Sequence, residues 1–357
     1  MELKEVFRLV RQESTLLWVG AGFSLYAGMP SGWEIKQLLY DNLNEKQRGE
    51  VNLADGLQRF TRNCELLMGR ERVISILQNR IDRPGADTFY HDLLARIAHF
   101  RTIVTTNYDR LIESSFKRNL GVIVLDEDVF AGGQAPTRLY KVHGDISNYK
   151  NSIVLTETDY NRQYNRDFKA PFWASVLSEI ATKHVIFLGF GNEDGNILAD
   201  FEKLEQLEGD SGRKKILIAP AFKSHVDKSR MRILGIHHLE MTGQDFLMQL
   251  INDIKTNINF DYTNDLTDSR TVQEFINAFD LRVTLNAGPS GVKHMNLEKM
   301  DGRTTWHLEL GTIDTQVKKM LSESLYDFEP IEIRGHQLTD FTLAVEGFHL
   351  MNIDTIE

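Results

Sequence analysis

Three short segments of this 357-residue chain carry residue types that do chemistry, each where an apolar run stops. The first is Gly20-Ala21-Gly22, followed by Ser24 and Gly28, at the end of the run Leu16–Val19. Glycines directly after a buried strand let peptide N–H groups come close to a phosphate, as in sites that hold dinucleotides. The third glycine follows the second by six residues instead of three, so this is not the dehydrogenase fingerprint. The second segment, Thr105-Thr-Asn-Tyr-Asp109, offers Thr106, the Asn107 carboxamide and the Asp109 carboxylate. The third, Lys141-Val-His-Gly-Asp145, places His143 directly before a glycine. An imidazole with an ordinary pKa of about 6.5 can accept a proton near neutral pH. A fourth run ends in Leu188-Gly-Phe-Gly-Asn-Glu-Asp-Gly195, where Gly189 and Gly191 offer close backbone and Asp194 a carboxylate. Plainer roles compete: Asp109 and Asp194 suit helix caps, and His143 taken alone suits a core position.

Positioning these segments requires strands that end together. Nearly continuous apolar runs at Leu16–Gly20, Thr102–Thr106, Val122–Leu125, Leu139–His143, Val185–Phe190 and Ile216–Ala219 read as parallel strands covered on both faces. Amphipathic stripes alternate with them, one from Phe172 to Ile180 and another through Ile197, Phe201, Leu204 and Leu207. The pattern predicts a doubly wound, Rossmann-like α/β sheet, in which ligands lie beyond the carboxyl ends of the strands. Residues 32–100 hold too many helical stripes for one crossover and read as an inserted helical subdomain. The expected division is a catalytic domain over 1–258, a polar linker over 259–270, and a β-rich domain over 271–357 with helix near Val317–Leu325. Trp33 and Trp173 are expected in the core.

Composition excludes several classes. No window approaches the roughly 18 apolar residues of a membrane span, and the start of the chain lacks a signal-peptide pattern. Cys64 is the single cysteine, so no cysteine zinc module and no internal disulfide is expected. Neither His237 nor His238 has a metal-ligand spacing. These features point to the cytoplasm, and the net charge of −10 disfavours direct contact with nucleic acid.

In family order, Gly-Ala-Gly-x-Ser-x-x-x-Gly-Met-Pro, Thr-x-Asn-x-Asp and His-Gly together resemble the sirtuin superfamily over residues 15–250. The resemblance implies a sirtuin-type fold with Gly20, Ala21, Gly22, Ser24, Thr106, Gly189, Gly191 and Asp194 around NAD. It also implies Asn107 and Asp109 near the nicotinamide ribose and His143 as the base. Two departures matter. Deacylases of the superfamily carry a four-cysteine zinc module and a mobile acidic-Phe-Arg loop after the proline. Here Ser31-Gly-Trp-Glu34 reads as a capping box that starts a helix at once. The implied activity is hydrolysis of NAD to nicotinamide and ADP-ribose, as in the antiphage-defence branch. That branch implies a homo-oligomer and a protein partner, a HerA-class ATPase or a short prokaryotic Argonaute. A module that senses NAD or ADP-ribose without turnover is the alternative; protein deacylation and ADP-ribosyl transfer are disfavoured.

Overall fold

A computed structural model of the chain describes residues 1–82, 85–116, 119–148, 153–164, 170–190, 212–222, 225–279, 281–287, 293–299, 305–310, 331–333, 336–338, 343–345 and 348–350. The chain divides into two compact units. One comprises Ser14–Ala95 and Phe100–Phe246; the other comprises Glu2–Glu13, Arg96–His99 and Leu247–Glu357.

In chain order the elements are α1 (Leu3–Arg11), β1 (Thr15–Val19), α2 (Gly32–Asp41), α3 (Glu45–Arg48), α4 (Leu57–Met68), α5 (Arg70–Ile81) and α6 (Phe89–Ala95). Then come β2 (Thr102–Thr105), α7 (Leu111–Phe116), β3 (Leu120–Ile123), α8 (Asp128–Gly132), β4 (Thr137–Lys141), α9 (Glu157–Tyr164) and α10 (Pro171–Thr182). β5 (His184–Leu188), β6 (Lys215–Ala219), α11 (His225–Ile233), β7 (Ile236–Glu240), α12 (Gly243–Thr263) and α13 (Ser269–Asn277) follow.

The first unit is built on a seven-stranded sheet in the order β3-β4-β2-β1-β5-β6-β7. Every pairing in it is parallel. The fold is a Rossmann-like α/β sheet, as the alternation of runs and stripes predicts. All residues of β1 and β2 are buried, which is why their sequences read as unbroken apolar runs. Leu16, Trp18, Val104 and Tyr140 on the sheet pack with Phe172, Trp173 and Val176 of α10. Helices α2 to α6 lie between β1 and β2 in sequence. Ile35, Leu39, Phe60, Cys64, Val73 and Leu77 from these helices form a second core with Leu111, Ile146 and Leu155. Ser31 caps α2: its hydroxyl accepts from the Glu34 amide at 3.2 Å, and Glu34 accepts from the Ser31 amide at 2.8 Å. The chain thus enters a helix directly after Pro30.

Several boundaries differ from the sequence reading. β3 and β4 each begin and end two residues earlier than the apolar runs suggest. The amides of Val124 and Leu125 bond to Asp128 and not to a neighbouring strand, so that apolar pair turns toward α8. β7 has no counterpart among the apolar runs because Ile-His-His-Leu-Glu is an edge strand with one buried residue. Trp33 is 53% exposed, its ring under the Lys36 ammonium, because the buried face of α2 is set by Ile35 and Leu39. Trp173 is in the core. The stripe from Ile197 to Leu207 lies outside the described residues.

In the second unit α12 runs through Thr263, so the polar stretch after Ile258 begins as helix and not as linker. Ile254, Ile258 and Tyr262 keep a buried stripe going. Asp261 holds Arg11 of α1 through both carboxylate oxygens, at 2.8 and 2.7 Å. Asp261, one of the polar residues in the stretch that reads as a linker, is therefore the carboxylate of a largely buried ion pair. Beyond α13, strands β8 (Leu281–Ala287), β9 (Lys293–Lys299) and β10 (Thr305–Leu310) form an antiparallel sheet. Two short antiparallel pairs follow, Ile331–Ile333 with His336–Leu338 and Leu343–Val345 with Phe348–Leu350. The helix expected near Val317–Leu325 lies outside the described residues. Among the described residues no helix is long and apolar enough to cross a membrane.

Candidate active site

The strand ends that carry chemistry are neighbours. In the order β4-β2-β1-β5, the four strands deliver the His143, Asn107, Gly20–Ser24 and Gly189 segments side by side. The glycines interlock. The Gly20 amide donates to the Leu188 carbonyl at 2.8 Å and the Gly22 amide to the Gly189 carbonyl at 2.7 Å. A Cβ on Gly22 would lie 2.6 Å from that carbonyl oxygen, and one on Gly189 only 2.3 Å from the Phe23 nitrogen. Gly189 also has a φ of 75°, where a side chain is strained. The Gly-Ala-Gly turn thus keeps its glycines for strand-to-strand contact, and Ala21 and Ser24 face the cavity.

Asn107 follows β2, held by its amide on Thr105 Oγ1 at 3.0 Å, while that hydroxyl donates to the Val19 carbonyl at 2.9 Å. Its side chain is buried; Nδ2 donates to Ser24 Oγ at 3.1 Å, and Oδ1 has no hydrogen-bond partner among the described residues. Asp109 accepts from the Leu111 amide at 3.1 Å, so its carboxylate does cap the start of α7 while the residue also lines the cavity.

His143 follows β4, and Gly144 turns the chain with a φ of 87°, which explains the His-Gly pair. The imidazole packs edge-on against Tyr160 of α9 with centroids 5.2 Å apart. The Tyr160 hydroxyl lies 3.5 Å from Nδ1, and Nε2 is buried with no partner among the described residues. Burial pushes the His143 pKa down from its ordinary value to about 4. The ordinary value assumed from sequence therefore does not hold: the ring is neutral across the neutral range.

Beneath these loops lies Lys141, fully buried at the end of β4. Its ammonium donates to the Asp109 carbonyl, Glu113 and Asp145, each at 2.7 Å. This one cation ties the Asn107 loop to the His143 loop.

Ala21, Ser24, Thr106, Asn107, Asp109 and His143 converge on one cavity of about 130 Å³. Gly20, Gly22 and Gly189 form the interlock and are not among the residues that line the cavity, and Gly191 and Asp194 lie outside the described residues. The structure adds Tyr108 and Tyr160, and an apolar stretch of wall from Met29, Pro30, Ile35, Leu57 and Ile81. No motif announces Leu57 or Ile81, because helices of the insertion bring them there. Tyr160 had a signal: Thr156 and Asp159 exchange hydrogen bonds at the start of α9, fixing the helix that carries it. Among the described residues no cluster of three or more His, Cys, Asp or Glu could hold a metal ion.

The fold is a Rossmann-like α/β sheet, and residues 101–240 match a family model described as SIR2-like domain. The matched stretch contains Asn107 and His143. Among curated proteins, the chain is similar to defense-associated sirtuin 2 of Bacillus subtilis, 29% identical over 224 residues, covering 60% of this chain and 22% of that protein. It is also similar to the NAD(+) hydrolase ThsA of Bacillus cereus (strain MSX-D12), 25% identical over 200 residues, covering 55% of this chain and 40% of that protein. A ThsA of Acinetobacter baumannii (strain 532279) is 27% identical over 201 residues, 55% of this chain and 40% of the relative. The chain thus spans less than half the length of these relatives.

Proposed function

We propose that this chain hydrolyses NAD to nicotinamide and ADP-ribose, and that it does so in antiphage defence. The observation that carries the reading is the pair of unsatisfied polar atoms on one cavity. Asn107 Oδ1 and His143 Nε2 are both buried, both without a partner among the described residues, and both on walls of the same pocket. A buried polar atom without a partner costs about 1–3 kcal/mol, so a site that keeps two of them is built for hydrogen-bonding groups brought by a ligand. A ribose diol and an attacking water, which both donate and accept, supply such groups.

The nicotinamide–ribose bond breaks toward an oxocarbenium-like transition state, with the electron pair leaving on a ring nitrogen that thereby loses its charge. Water adds at the anomeric carbon and gives up one proton. Asn107 orients the water or a ribose hydroxyl, and neutral His143 accepts the hydrogen of one of them. Asp109 lends negative potential near the cationic sugar. Ala21, Ser24 and Thr106 contact the ribose and phosphate side. The capped helix after Pro30 leaves no place for the mobile Phe-Arg loop of the deacylases, which supports hydrolysis over acyl-lysine chemistry. The names of the relatives support the same reading.

In this proposal the protein draws on cytoplasmic NAD, assembles with itself, and depends on a HerA-class ATPase or a short prokaryotic Argonaute for its trigger. A net charge of −10 suits reliance on such a partner for sensing nucleic acid. The test is to follow nicotinamide and ADP-ribose by chromatography, with and without the partner. Asn107→Ala and His143→Ala are each expected to lower the rate at least ~100-fold while NAD still binds. Stoichiometric NAD binding with no product under any condition would move the reading to a sensor.

A further inference from the structure

A run of hydrogen bonds reaches the cavity wall from residues that no motif specifies. Tyr26, in the turn after β1, sits at the start of α6. Its hydroxyl oxygen receives the His91 amide at 3.0 Å and faces the Tyr90 amide as well. These are first-turn N–H groups with no partner inside their own helix. With its oxygen occupied by donors, the phenol must direct its own hydrogen elsewhere, and His91 Nδ1 is 2.6 Å away. The His91 ring is fully buried against Phe23, with centroids 4.7 Å apart, and burial pushes its pKa down to about 4. Asp109, Asp92 and Asp87 oppose that shift without reversing it. The ring is therefore neutral, and with Nδ1 accepting, its one hydrogen sits on Nε2. Nε2 lies 3.4 Å from Ser24 Oγ, which also accepts from Asn107 Nδ2 at 3.1 Å.

We infer that Tyr26 and His91 are positioning residues of the cavity: they lock the Nε2–H tautomer, make the Ser24 oxygen accept on both sides, and leave the Ser24 hydrogen and Asn107 Oδ1 for whatever the cavity binds. The wall then presents one donor beside one acceptor. That pair matches a sugar hydroxyl or a water, whose oxygen takes the Ser24 hydrogen while its own hydrogen goes to Oδ1. With the opposite tautomer, Nε2 would draw the Ser24 hydrogen away and the donor would vanish from the cavity. The effect on turnover rests on the NAD reading above; the tautomer does not.

The full chain labelled with 15N-histidine tests this by long-range 1H–15N correlation at pH 7. The His91 signals are assigned by their loss in His91→Gln. The expected protonated nitrogen is the one correlated with both ring C–H groups, which is Nε2. Tyr26→Phe removes the donor to Nδ1 and should mix the tautomers; Ser24→Ala removes the acceptor of Nε2–H and should shift the same signals. An Nδ1–H ring in the native chain, or a Tyr26→Phe spectrum identical to it, would overturn the inference. In NAD cleavage, Tyr26→Phe is expected to lower kcat roughly tenfold with KM within about twofold. Unchanged kcat in an active enzyme would overturn the claim that the pair serves turnover. If the native chain shows the expected tautomer yet cleaves no NAD under any trigger, the NAD reading fails and the positioning stands.

Discussion

At the scale of single residues, His143 shows what type and spacing reveal and what they leave out. The imidazole before a glycine at a strand end was legible, as were Asn107 and Asp109, because each is a residue able to do chemistry at the end of an apolar run. The environment was not legible: nothing in Lys-Val-His-Gly-Asp says that Nε2 is sealed from water. Burial makes His143 a weak base, but, under the proposed hydrolysis of NAD, one that would stay uncharged beside a cationic nicotinamide ring. The consequence is a pH profile. The ring works when neutral, so kcat/KM should hold steady from neutral pH down to about 5 and fall as pH drops through about 4. An acid limb centred near 6.5 would show that the ring is solvated in the free enzyme. The glycines teach a related lesson. Gly20 and Gly22 were conspicuous, yet their amides serve the Leu188 and Gly189 carbonyls. Gly22→Ala should therefore destabilise the fold by about 1–3 kcal/mol, measured by chemical unfolding, because the Cβ meets backbone that must move.

At the scale of elements, the sheet was readable where strands are buried on both faces and obscure where they are not. β1 and β2 stand where their apolar runs place them, whereas edge strand β7 carries only one buried side chain. Helix α12 was obscured in the same way, since Asp261 reads as solvent-facing until Arg11 is found beside it. Lys141 is the clearest element-level device. A lysine closing a strand looks like an edge residue, yet its side chain is fully buried and holds α7 and the loops that carry Asn107 and His143 in place. Burial raises the Glu113 pKa despite the ammonium; for Asp145, burial acts upward but Lys141 and Ser147 outweigh it and the pKa falls. Lys141→Met would leave two buried carboxyls facing a void of charge. It should cost about 3–5 kcal/mol in urea unfolding, with the slope unchanged. Adding Glu113→Gln should recover part of that loss, since one of the stranded charges is gone. No recovery would mean that packing, not charge, is what the lysine supplies.

At the scale of the whole molecule, two imidazoles buried neutral make folding itself sensitive to acid. His91 and His143 are each lowered to about 4 in the folded chain, against about 6.5 when unfolded. Between those values the unfolded state binds protons that the folded state refuses, so stability rises with pH across the window. It is fully present above about pH 6.5 and lost as pH falls toward 4, by about 3 kcal/mol for each ring. Asp145, Asp159 and Glu179 have lowered pKa values, so their share persists until pH drops below the ordinary carboxylate range. General charge repulsion acts the other way: the chain carries −10 at pH 7 and has a pI near 5.6, so mild acid relieves repulsion. A loss of stability between pH 6.5 and 5 therefore isolates the histidines. Trp18 and Trp173 are buried in the unit that holds both rings, so tryptophan fluorescence in a Trp306→Phe background reports its unfolding. Urea midpoints should fall steadily over that range in the parent. The decline should be roughly halved in His91→Gln, where the imidazole that titrates only in the unfolded chain has been replaced by an amide that titrates in neither state. An equal decline in the variant would mean that His91 is hydrated and titrates alike in both states.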